Sequence, residues 1–373
     1  MSLRTTLSRA LDRFEAGREF KARLRAAMAG EAPAPSRRHE YPFDLLRYIH
    51  VEGSFLCNLE CRMCPRLVEG HAEGLMPFER FSRLFPIFPY LDYVVLTGYG
   101  EPTLNPRLPE FVAAVRSRGP RPRLTTNGTI LSEEKARALL DAGIDNLHVS
   151  IDAGTKETFE RVRAGARWER VLENSRRFNE LRRAGGYEVG TAWAFVVMRD
   201  NFRELPEAVR HAANCGFDLV TTNFIARNAL DFEQAQVLHT VEGDWAGFRE
   251  EFEAVEAECR SLADRLGIQF RVLPFHLSYD GGCLSDPIHS LFVDWMGNVS
   301  PCCQLPVRSD RDRHPAHAFG NIEDQDIMEI LLSRRLRVYW DNWLHRRIPA
   351  VCKNCYQVVR LPERDTYTDA VEN

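Results

Sequence analysis

The cysteines of this 373-residue chain are grouped rather than evenly spread. Cys57, Cys61 and Cys64 share one short segment, and a second group lies in the last quarter of the chain. The second group consists of Cys283, Cys302, Cys303, Cys352 and Cys355. Clustered thiols in a reducing compartment are typical of metal or cluster ligands, whereas isolated cysteines such as Cys215 and Cys259 are typical of small buried residues.

The first cysteine group predicts one of two kinds of site. A cubane iron–sulfur cluster held by Cys57, Cys61 and Cys64 would leave one iron open to bind and activate a small molecule. A zinc ion would need a fourth ligand nearby, which His50 or His71 could supply. The cysteines alone leave both alternatives open.

Polar motifs follow three further predicted strands. Gly98 to Pro102 (Gly-Tyr-Gly-Glu-Pro) ends the second strand, Thr125 to Gly128 the third, and Ser150 to Asp152 the fourth. Each motif alone is also compatible with ordinary turn and capping chemistry. In a barrel, however, the carboxyl ends of the strands face the ligand.

The Cys-x3-Cys-x2-Cys spacing after a first strand, with these motifs in order, resembles the radical S-adenosylmethionine (radical SAM) superfamily over residues 48–226. The resemblance implies that the open iron chelates the amino and carboxylate groups of S-adenosylmethionine. An electron from the cluster then cleaves the sulfur–C5′ bond, and the resulting 5′-deoxyadenosyl radical abstracts a hydrogen atom from the substrate.

The same resemblance implies roles for the cofactor-binding residues. Gly100 and Glu101 are expected to bind the methionyl amino group, since a carboxylate accepts hydrogen bonds from an ammonium. Ser150 and Asp152 are expected to hold the methionyl and ribose groups. Asn127, at the end of the third strand, is expected to face the same ligand.

Two further positions complete the predicted cofactor site. Met63 stands where the family usually has an aromatic residue and would make an apolar contact with the adenine. Arg163 either pairs with the methionyl carboxylate, as an arginine does in related enzymes, or is a solvated helix arginine.

The second cysteine group resembles the SPASM/twitch extension of radical SAM enzymes over residues 280–357. A predicted hairpin at 292–302 delivers Cys302, and Cys352 and Cys355 close the set. The resemblance implies one auxiliary [4Fe–4S] cluster held by Cys283, Cys302, Cys352 and Cys355, although four thiolates also suit zinc. Cys303 is either a spectator, the ligand in place of Cys302, or a hydrogen-atom donor to the substrate.

Short β-rich runs alternate with helical patterns in the middle of the chain, which predicts βαβ units and a parallel sheet. The expected fold is an α/β partial (β/α)6 TIM-like barrel followed by a small SPASM/twitch-like domain. The predicted strands are 48–52, 93–97, 123–126, 147–151, 189–197 and 219–224. The expected domains are a helical extension (1–40), the barrel (41–235), a helical bridge (236–275) and the auxiliary-cluster domain (276–373).

Composition excludes several functional classes. The net charge is 49 − 53 = −4, which argues against a nucleic-acid partner, and 44% apolar residues argue against disorder. The longest apolar run, near 191–198, is strand-length, so no membrane association is expected. The N-terminus lacks the apolar stretch of a signal peptide, which predicts a cytoplasmic protein.

The predicted function is therefore radical hydrogen abstraction from a small polar metabolite, resembling a sugar or an aminocyclitol, with two-electron oxidation as the preferred outcome. Alternatives are an epimerase with Cys303 as donor, a peptide-modifying maturase, and a non-catalytic zinc or electron-transfer protein. Residues 1–40 are too short for the peptide-binding segment of many peptide-modifying relatives. A flavodoxin- or ferredoxin-like protein is the expected reductant, and His276 and His289 are possible substrate contacts.

Overall fold

The computed structural model describes residues 42–67, 73–225, 236, 247–272, 283, 285–303, 317–345 and 347–352. Several positions singled out in the sequence lie outside these described residues. They are the N-terminal extension 1–40, His71, His276 and Cys355.

One large sheet dominates the described part of the chain. Its strands are β1 (Tyr48–Val51), β3 (Tyr93–Leu96), β4 (Arg121–Thr126), β5 (Asn146–Ser150), β7 (Gly190–Val197), β8 (Leu219–Phe224), β9 (Gln269–Val272), β10 (Ser290–Val293), β11 (Asn298–Ser300) and β12 (Gly320–Asn321). Their spatial order is β12-β11-β10-β1-β3-β4-β5-β7-β8-β9. All pairings from β10 to β9 are parallel, and the hairpin pairings β10–β11 and β11–β12 are antiparallel.

Helices connect the parallel strands, as a βαβ arrangement requires. They are α1 (Phe78–Ser82), α2 (Leu108–Arg116), α3 (Glu133–Asp141), α4 (Lys156–Val162), α5 (Trp168–Ala184), α6 (Leu205–Asn214), α7 (Arg249–Leu266), α8 (Ile327–Leu331) and α9 (Arg334–Leu344). Ser132 and Thr155 cap α3 and α4, because their side chains accept from the Lys135 and Thr158 amides. The predicted α/β fold is confirmed.

The two faces of the sheet differ in chemistry. Leu124, Leu147 and Val149 point toward the helices and are almost fully buried in the main core. Thr125 and Ser150, which alternate with them, are half-buried and polar. Because side chains alternate along a strand, the second set lies on the inner face of the curved sheet, where a ligand can bind.

The six predicted barrel strands are all present, but the sheet continues at both ends. β9 adds to β8 within the predicted helical bridge, and this short strand is hard to recognise from its sequence. β10 pairs in parallel with β1, from Tyr48↔Ser290 to Val51↔Val293. The C-terminal region is therefore joined to the barrel by a continuous sheet.

The sequence over 327–343 has a continuous helical pattern, but it forms two helices in the structure. α8 ends before Leu332, and Ser333 begins α9 by accepting from the Leu336 amide. A serine inside a helical pattern that caps the next helix explains the difference.

Candidate active site

A cavity of about 310 Å³ opens at the carboxyl ends of the central strands. Its walls come from the cysteine loop, the loops after β3 and β4, the ends of β5 and β7, and the short strand β6 (Arg163–Ala164). The lining residues are Cys57, Leu59, Cys61, Met63, Cys64, Thr97, Gly98, Tyr99, Gly100, Glu101, Thr125, Thr126, Asn127, Ser150, Arg163 and Val196. The three motifs that the sequence singled out therefore meet the first cysteine group in one space.

The cysteine loop is fixed to its neighbours by main-chain contacts. β2 (Glu60–Cys61) pairs with β6 (Arg163–Ala164), which places Cys61 opposite Arg163. On the other side, the Glu101 amide donates to the Leu56 carbonyl at 2.7 Å. A Cβ on Gly100 would lie 2.3 Å from the Ser54 carbonyl oxygen, so this position requires glycine for the loop to approach.

The three cysteines are buried or half-buried, so their thiolate forms need a bound cation to be stable. Burial raises the pKa of the Cys57 and Cys64 thiols and raises that of Cys61 to about 11, while the Arg163 charge acts in the opposite direction. Without a metal these groups stay protonated, whereas soft iron binds their thiolates strongly. The donor set therefore fits an iron–sulfur cluster.

The described residues contain no group of three or more His, Cys, Asp or Glu side chains placed to hold one metal ion. The three thiols share a cavity wall rather than a single point, and a cubane cluster binds each thiolate at a different iron. His50, the alternative zinc ligand, is not among the residues that line the cavity.

Glu101 is the acid among the lining residues, and both of its carboxylate oxygens accept hydrogen bonds. Its Oε1 accepts from the Thr103 amide at 3.0 Å and from the Thr103 and Thr126 hydroxyls at 2.5 and 2.6 Å. Its Oε2 accepts from the Asn127 amide at 2.7 Å. Because Oε2 has one described donor, it retains the capacity to accept from a ligand.

Asn127 connects the loop after β4 to the cysteine loop. Its side-chain Nδ2 donates to Asn58 Oδ1 at 3.0 Å and lies 3.9 Å from Cys57 Sγ. Its Oδ1 accepts from the Thr129 amide and hydroxyl at 2.9 and 2.7 Å. A side chain this constrained holds a fixed position beside the sulfur.

Arg163 is buried and is not a solvated helix arginine. Its Nε and Nη2 donate to Asp152 Oδ2 at 2.7 and 2.6 Å, and its Nη1 lies 3.9 Å from Cys61 Sγ. Asp152 also accepts from the Val196 amide at 2.8 Å and does not line the cavity. The structure therefore places Arg163 at the cavity wall and Asp152 behind it.

The remaining predicted cofactor residues lie at the cavity wall. Ser150 lines it from the end of β5, and Met63 lines it beside Val196. Met63 and Val196 both pack against a small apolar cluster of Val162, Met198 and Ile225. This side of the cavity is apolar, whereas the side formed by Glu101 is polar.

Glu52 is a buried acid that sequence reasoning missed. It follows β1, and its Oε1 accepts from the Tyr99 amide at 2.8 Å. Burial and the nearby Asp294 charge raise its pKa to about 8. Gly98 makes room for this side chain, since a Cβ there would lie 2.3 Å from Glu52 Cγ. The signal in the sequence was its position directly after a strand.

Three cysteines of the second group, Cys283, Cys302 and Cys352, lie near Tyr339 of α9. Burial raises the pKa of the Tyr339 hydroxyl well above its usual value, and the charges of Cys352, Cys302 and Cys283 raise it further. These three cysteines therefore lie close to one phenol. Cys303 is half-buried and is not among the charges that act on Tyr339.

Other singled-out residues are away from the cavity. Cys215 ends α6 and Cys259 lies on α7, and both are buried. His289 lies before β10, and its Nδ1 is 2.7 Å from Asp286 Oδ1. Cys303 lies after β11 and does not line the cavity. Within the described residues, no helix is both long and apolar enough to cross a membrane.

Comparison with known proteins places both cysteine groups in characterised domains. Residues 51–212 match the model of the radical SAM superfamily, and residues 283–356 match that of SPASM, an iron–sulfur cluster-binding domain. The tungsten-containing aldehyde ferredoxin oxidoreductase cofactor-modifying protein of Pyrococcus furiosus is 25% identical over 303 residues. The aligned region covers 78% of this chain and 82% of that protein.

Solved structures share the fold at low sequence identity. Streptococcus suis SuiB bound to S-adenosylmethionine aligns with a TM-score of 0.60 at 14% identity, over 78% of this chain and 67% of that chain. SuiB has also been solved with its precursor peptide SuiA. Native anSMEcpe with bound AdoMet aligns with a TM-score of 0.59 at 17% identity, over 84% of this chain and 87% of that chain. The family-model matches at residues 51–212 and 283–356 place the chain in the radical SAM superfamily, as an S-adenosylmethionine-dependent [4Fe–4S] enzyme with a C-terminal SPASM domain.

Proposed function

We propose that this enzyme carries out a radical two-electron oxidation of a small polar metabolite that resembles a sugar or an aminocyclitol. The observation that carries the proposal is the single cavity shared by Cys57, Cys61 and Cys64 with Glu101 and Arg163. Three thiols beside an acid and a buried arginine suit a cluster with one open iron and an amino-acid ligand bound to it.

Different residues would bind the cluster and the different groups of S-adenosylmethionine. Cys57, Cys61 and Cys64 would hold the cluster, which together with S-adenosylmethionine supplies a hydrogen-abstracting 5′-deoxyadenosyl radical. Glu101 accepts from the methionyl ammonium, and Gly100 lets the cysteine loop approach it.

The methionyl carboxylate and the rest of the ligand meet other parts of the wall. Arg163 pairs with the methionyl carboxylate, and Asp152 orients Arg163 from behind. Asn127 and Ser150 contact the polar part of the ligand, while Met63 offers an apolar surface to the adenine. This division follows the polar and apolar sides of the cavity.

Oxidation, rather than epimerisation, is favoured by the C-terminal cysteines. Cys283, Cys302 and Cys352 lie near Tyr339, and with Cys355 they would ligate one auxiliary [4Fe–4S] cluster. After the 5′-deoxyadenosyl radical has taken a hydrogen atom, the substrate radical would give its second electron to this cluster and a proton to a base. Full ligation leaves no iron for substrate, so an electron-transfer role suits this donor set. A flavodoxin- or ferredoxin-like protein is the proposed external reductant.

Two similar proteins suggest different classes of substrate. The Pyrococcus furiosus relative is named for modification of a cofactor, which is a small molecule. SuiB, in contrast, binds a precursor peptide, and a peptide substrate is the second candidate. Epimerisation with Cys303 as the hydrogen donor is the alternative outcome of the reaction.

Product analysis in deuterated water distinguishes these outcomes. The reconstituted enzyme is incubated anaerobically with S-adenosylmethionine, reductant and panels of sugars, aminocyclitols and peptides. Oxidation predicts a product at a higher oxidation level without solvent deuterium at the reacting carbon, and little effect of Cys303→Ala. A redox-neutral product that carries solvent deuterium, and that is lost in Cys303→Ala, would show epimerisation instead.

A further inference from the structure

The inner face of the sheet carries two arginines that form no ion pair with a described carboxylate. Thr125 and Ser150 line the cavity from β4 and β5. Side chains alternate along a strand, so Arg123 and His148, two residues earlier, share this inner face. A step of two residues is about 6.6 Å, so these groups lie just below the cavity wall.

Arg271 reaches the same face through the strand register. Ser150 is paired with Ala194, Ala194 with Thr221, and Thr221 with Arg271. Residues in register on parallel strands point to the same side of the sheet. The neighbours of Arg271 on β9, Phe270 and Val272, pack against the core on the opposite side, which agrees with this placement.

The guanidinium groups of both arginines act on one imidazole. Burial lowers the pKa of His148 to about 4, and the positive charges of Arg123 and Arg271 lower it further. Two cations from different strands therefore lie near His148, which is neutral at pH 7. A neutral imidazole keeps one N–H donor available.

Arg123 is oriented without being neutralised. Its guanidinium lies 3.8 Å from the centre of the Tyr93 ring, and Tyr93 stacks on Tyr48 at 4.6 Å. Its Nε is buried and has no hydrogen-bond partner among the described residues. Stacking on a ring face holds the guanidinium while its N–H edge remains available to a ligand.

Other arginines that the structure buries are paired with carboxylates. Arg163 and Arg182, the buried arginines of the described chain, pair with Asp152 and Asp218. Neither Arg123 nor Arg271 forms an ion pair with a described residue.

An acid near Tyr93 is already engaged by other side chains. Asp286, whose charge acts on Tyr93, is bound instead by the Tyr48 hydroxyl at 3.2 Å and by His289 at 2.7 Å. It therefore does not neutralise Arg123.

We propose that Arg123 and Arg271, with His148 beside them, bind an anionic group of the substrate inside the barrel. The group is a carboxylate or a phosphate, because arginine recognises both through paired N–H donors. An anion held there would anchor the substrate below the cavity and direct its remaining atoms toward it. The proposal deepens the proposed function and rests on it for the identity of the ligand as substrate.

The test uses simple anions with the full-length reconstituted protein. Equilibrium dialysis at low ionic strength measures binding of inorganic phosphate and of succinate to the wild type, Arg123→Gln, Arg271→Gln and Arg121→Gln. Arg121 is the matched control, because it lies on the same strand and face as Arg123 but one step farther from the cavity. Saturable binding of either anion is expected, and the tighter anion identifies the group.

Arg123→Gln and Arg271→Gln should each weaken that binding about tenfold or more, since a charge-assisted hydrogen bond is lost. Arg121→Gln should bind as the wild type does. Arg271 is exposed at the sheet edge, so its variant tests the site even if Arg123→Gln fails to fold. No saturable binding, unchanged affinity in Arg271→Gln, or equal loss in Arg121→Gln would overturn the proposal.

A parallel measurement separates this proposal from the proposed function. S-adenosylmethionine binding by the same variants should stay at the wild-type level, because Arg123 and Arg271 do not line the cavity. Loss of anion binding with intact S-adenosylmethionine binding supports the anion site. Anion binding by a protein that never cleaves S-adenosylmethionine would contradict the proposed function but not the site.

Discussion

At the scale of single residues, the Glu101 carboxylate has two roles. It fixes the loops of the cavity wall, and it would bind the proposed ligand. It fixes the loops after β3 and β4 through Thr103, Thr126 and the Asn127 amide. Glu101 lines the cavity, and its Oε2 has a single described donor, so it can still accept a hydrogen bond from a ligand. The structural and binding roles are therefore separable only by comparing a change at Glu101 with a change at one of its donors.

Glu101→Gln should weaken S-adenosylmethionine binding roughly tenfold or more. The substitution removes the charge that a methionyl ammonium would meet, and such a hydrogen bond is worth about 1.5–3 kcal/mol. Thr103→Val is the matched control, since it removes one hydrogen bond from Glu101 but leaves the charge. Calorimetric titration of both variants measures the effect. Equal dissociation constants for Glu101→Gln and the wild type would mean that Glu101 only shapes the wall.

Which residues reach the cavity was only partly predictable from the sequence. Met63, Ser150 and Arg163 belong to motifs near strand ends, and the motif order alone indicated that they meet. Asp152 sits in the same motif as Ser150, but it lies beyond the end of β5, where its carboxylate pairs with Arg163 and does not line the cavity. Contacts of this kind depend on packing between distant segments, which spacing does not reveal.

Residues without a motif were harder to find. Glu52 and Tyr339 gain their environments from partners far away in the chain, namely Tyr99 and the C-terminal cysteines. Arg123 and His148 could have been found by counting back two residues from the strand ends, because strand periodicity fixes their face.

Among the secondary-structure elements, the approach of the cysteine loop to the β3 loop determines the shape of the site. Gly100→Ala should lower both cluster content and S-adenosylmethionine binding severalfold, because the added Cβ would lie 2.3 and 2.6 Å from the Ser54 and Leu56 carbonyl oxygens. Gly53→Ala is the control, since its Cβ would meet only Phe111 at 3.8 Å. Iron analysis and titration measure both variants. Wild-type values in Gly100→Ala would show that the loop does not need this close contact.

The junction of β1, β3 and β10 should give the protein a pH-dependent stability. The Glu52 pKa is raised from 4.5 to about 8 in the folded state. The stability that its protonated form contributes is therefore present below pH 4.5 and is lost as the pH rises to 8. The amount is on the order of a few kcal/mol, since one pKa unit corresponds to about 1.4 kcal/mol.

Anaerobic thermal unfolding of Glu52→Gln tests this. The melting temperature of Glu52→Gln minus that of the wild type should increase from pH 5 to pH 9, because glutamine cannot ionise. Glu134→Gln, which removes an exposed carboxylate, should show no such trend. A pH-independent difference between Glu52→Gln and the wild type would contradict the assignment.

Element prediction succeeded for the six barrel strands and failed at the edge of the sheet, at one long-range strand pairing and at the break between the C-terminal helices. The barrel strands β1, β3, β4, β5, β7 and β8 have clear apolar alternation and were predicted. β9 has only four residues at a sheet edge, and β10 joins β1 across more than two hundred residues of sequence, a pairing that local pattern does not encode. The break between α8 and α9 depends on the Ser333 cap rather than on composition.

The whole molecule is expected to hold two clusters, one in the barrel and one in the C-terminal region. Anaerobically reconstituted protein should contain about eight irons, since each cubane holds four. Alanine at Cys57, Cys61 and Cys64 together should lower this to about four. Stoichiometric zinc with the iron of one cluster would instead assign the C-terminal cysteines to a zinc site.

The most direct test of the whole account is the formation of 5′-deoxyadenosine from S-adenosylmethionine under reducing, anaerobic conditions. The reconstituted wild type should produce it, because Cys57, Cys61 and Cys64 leave one iron open beside Glu101 and Arg163. The triple alanine variant should produce none while retaining the iron of its C-terminal cluster. Equal 5′-deoxyadenosine formation by the wild type and the triple variant would contradict the assignment of this cavity as the radical-generating site.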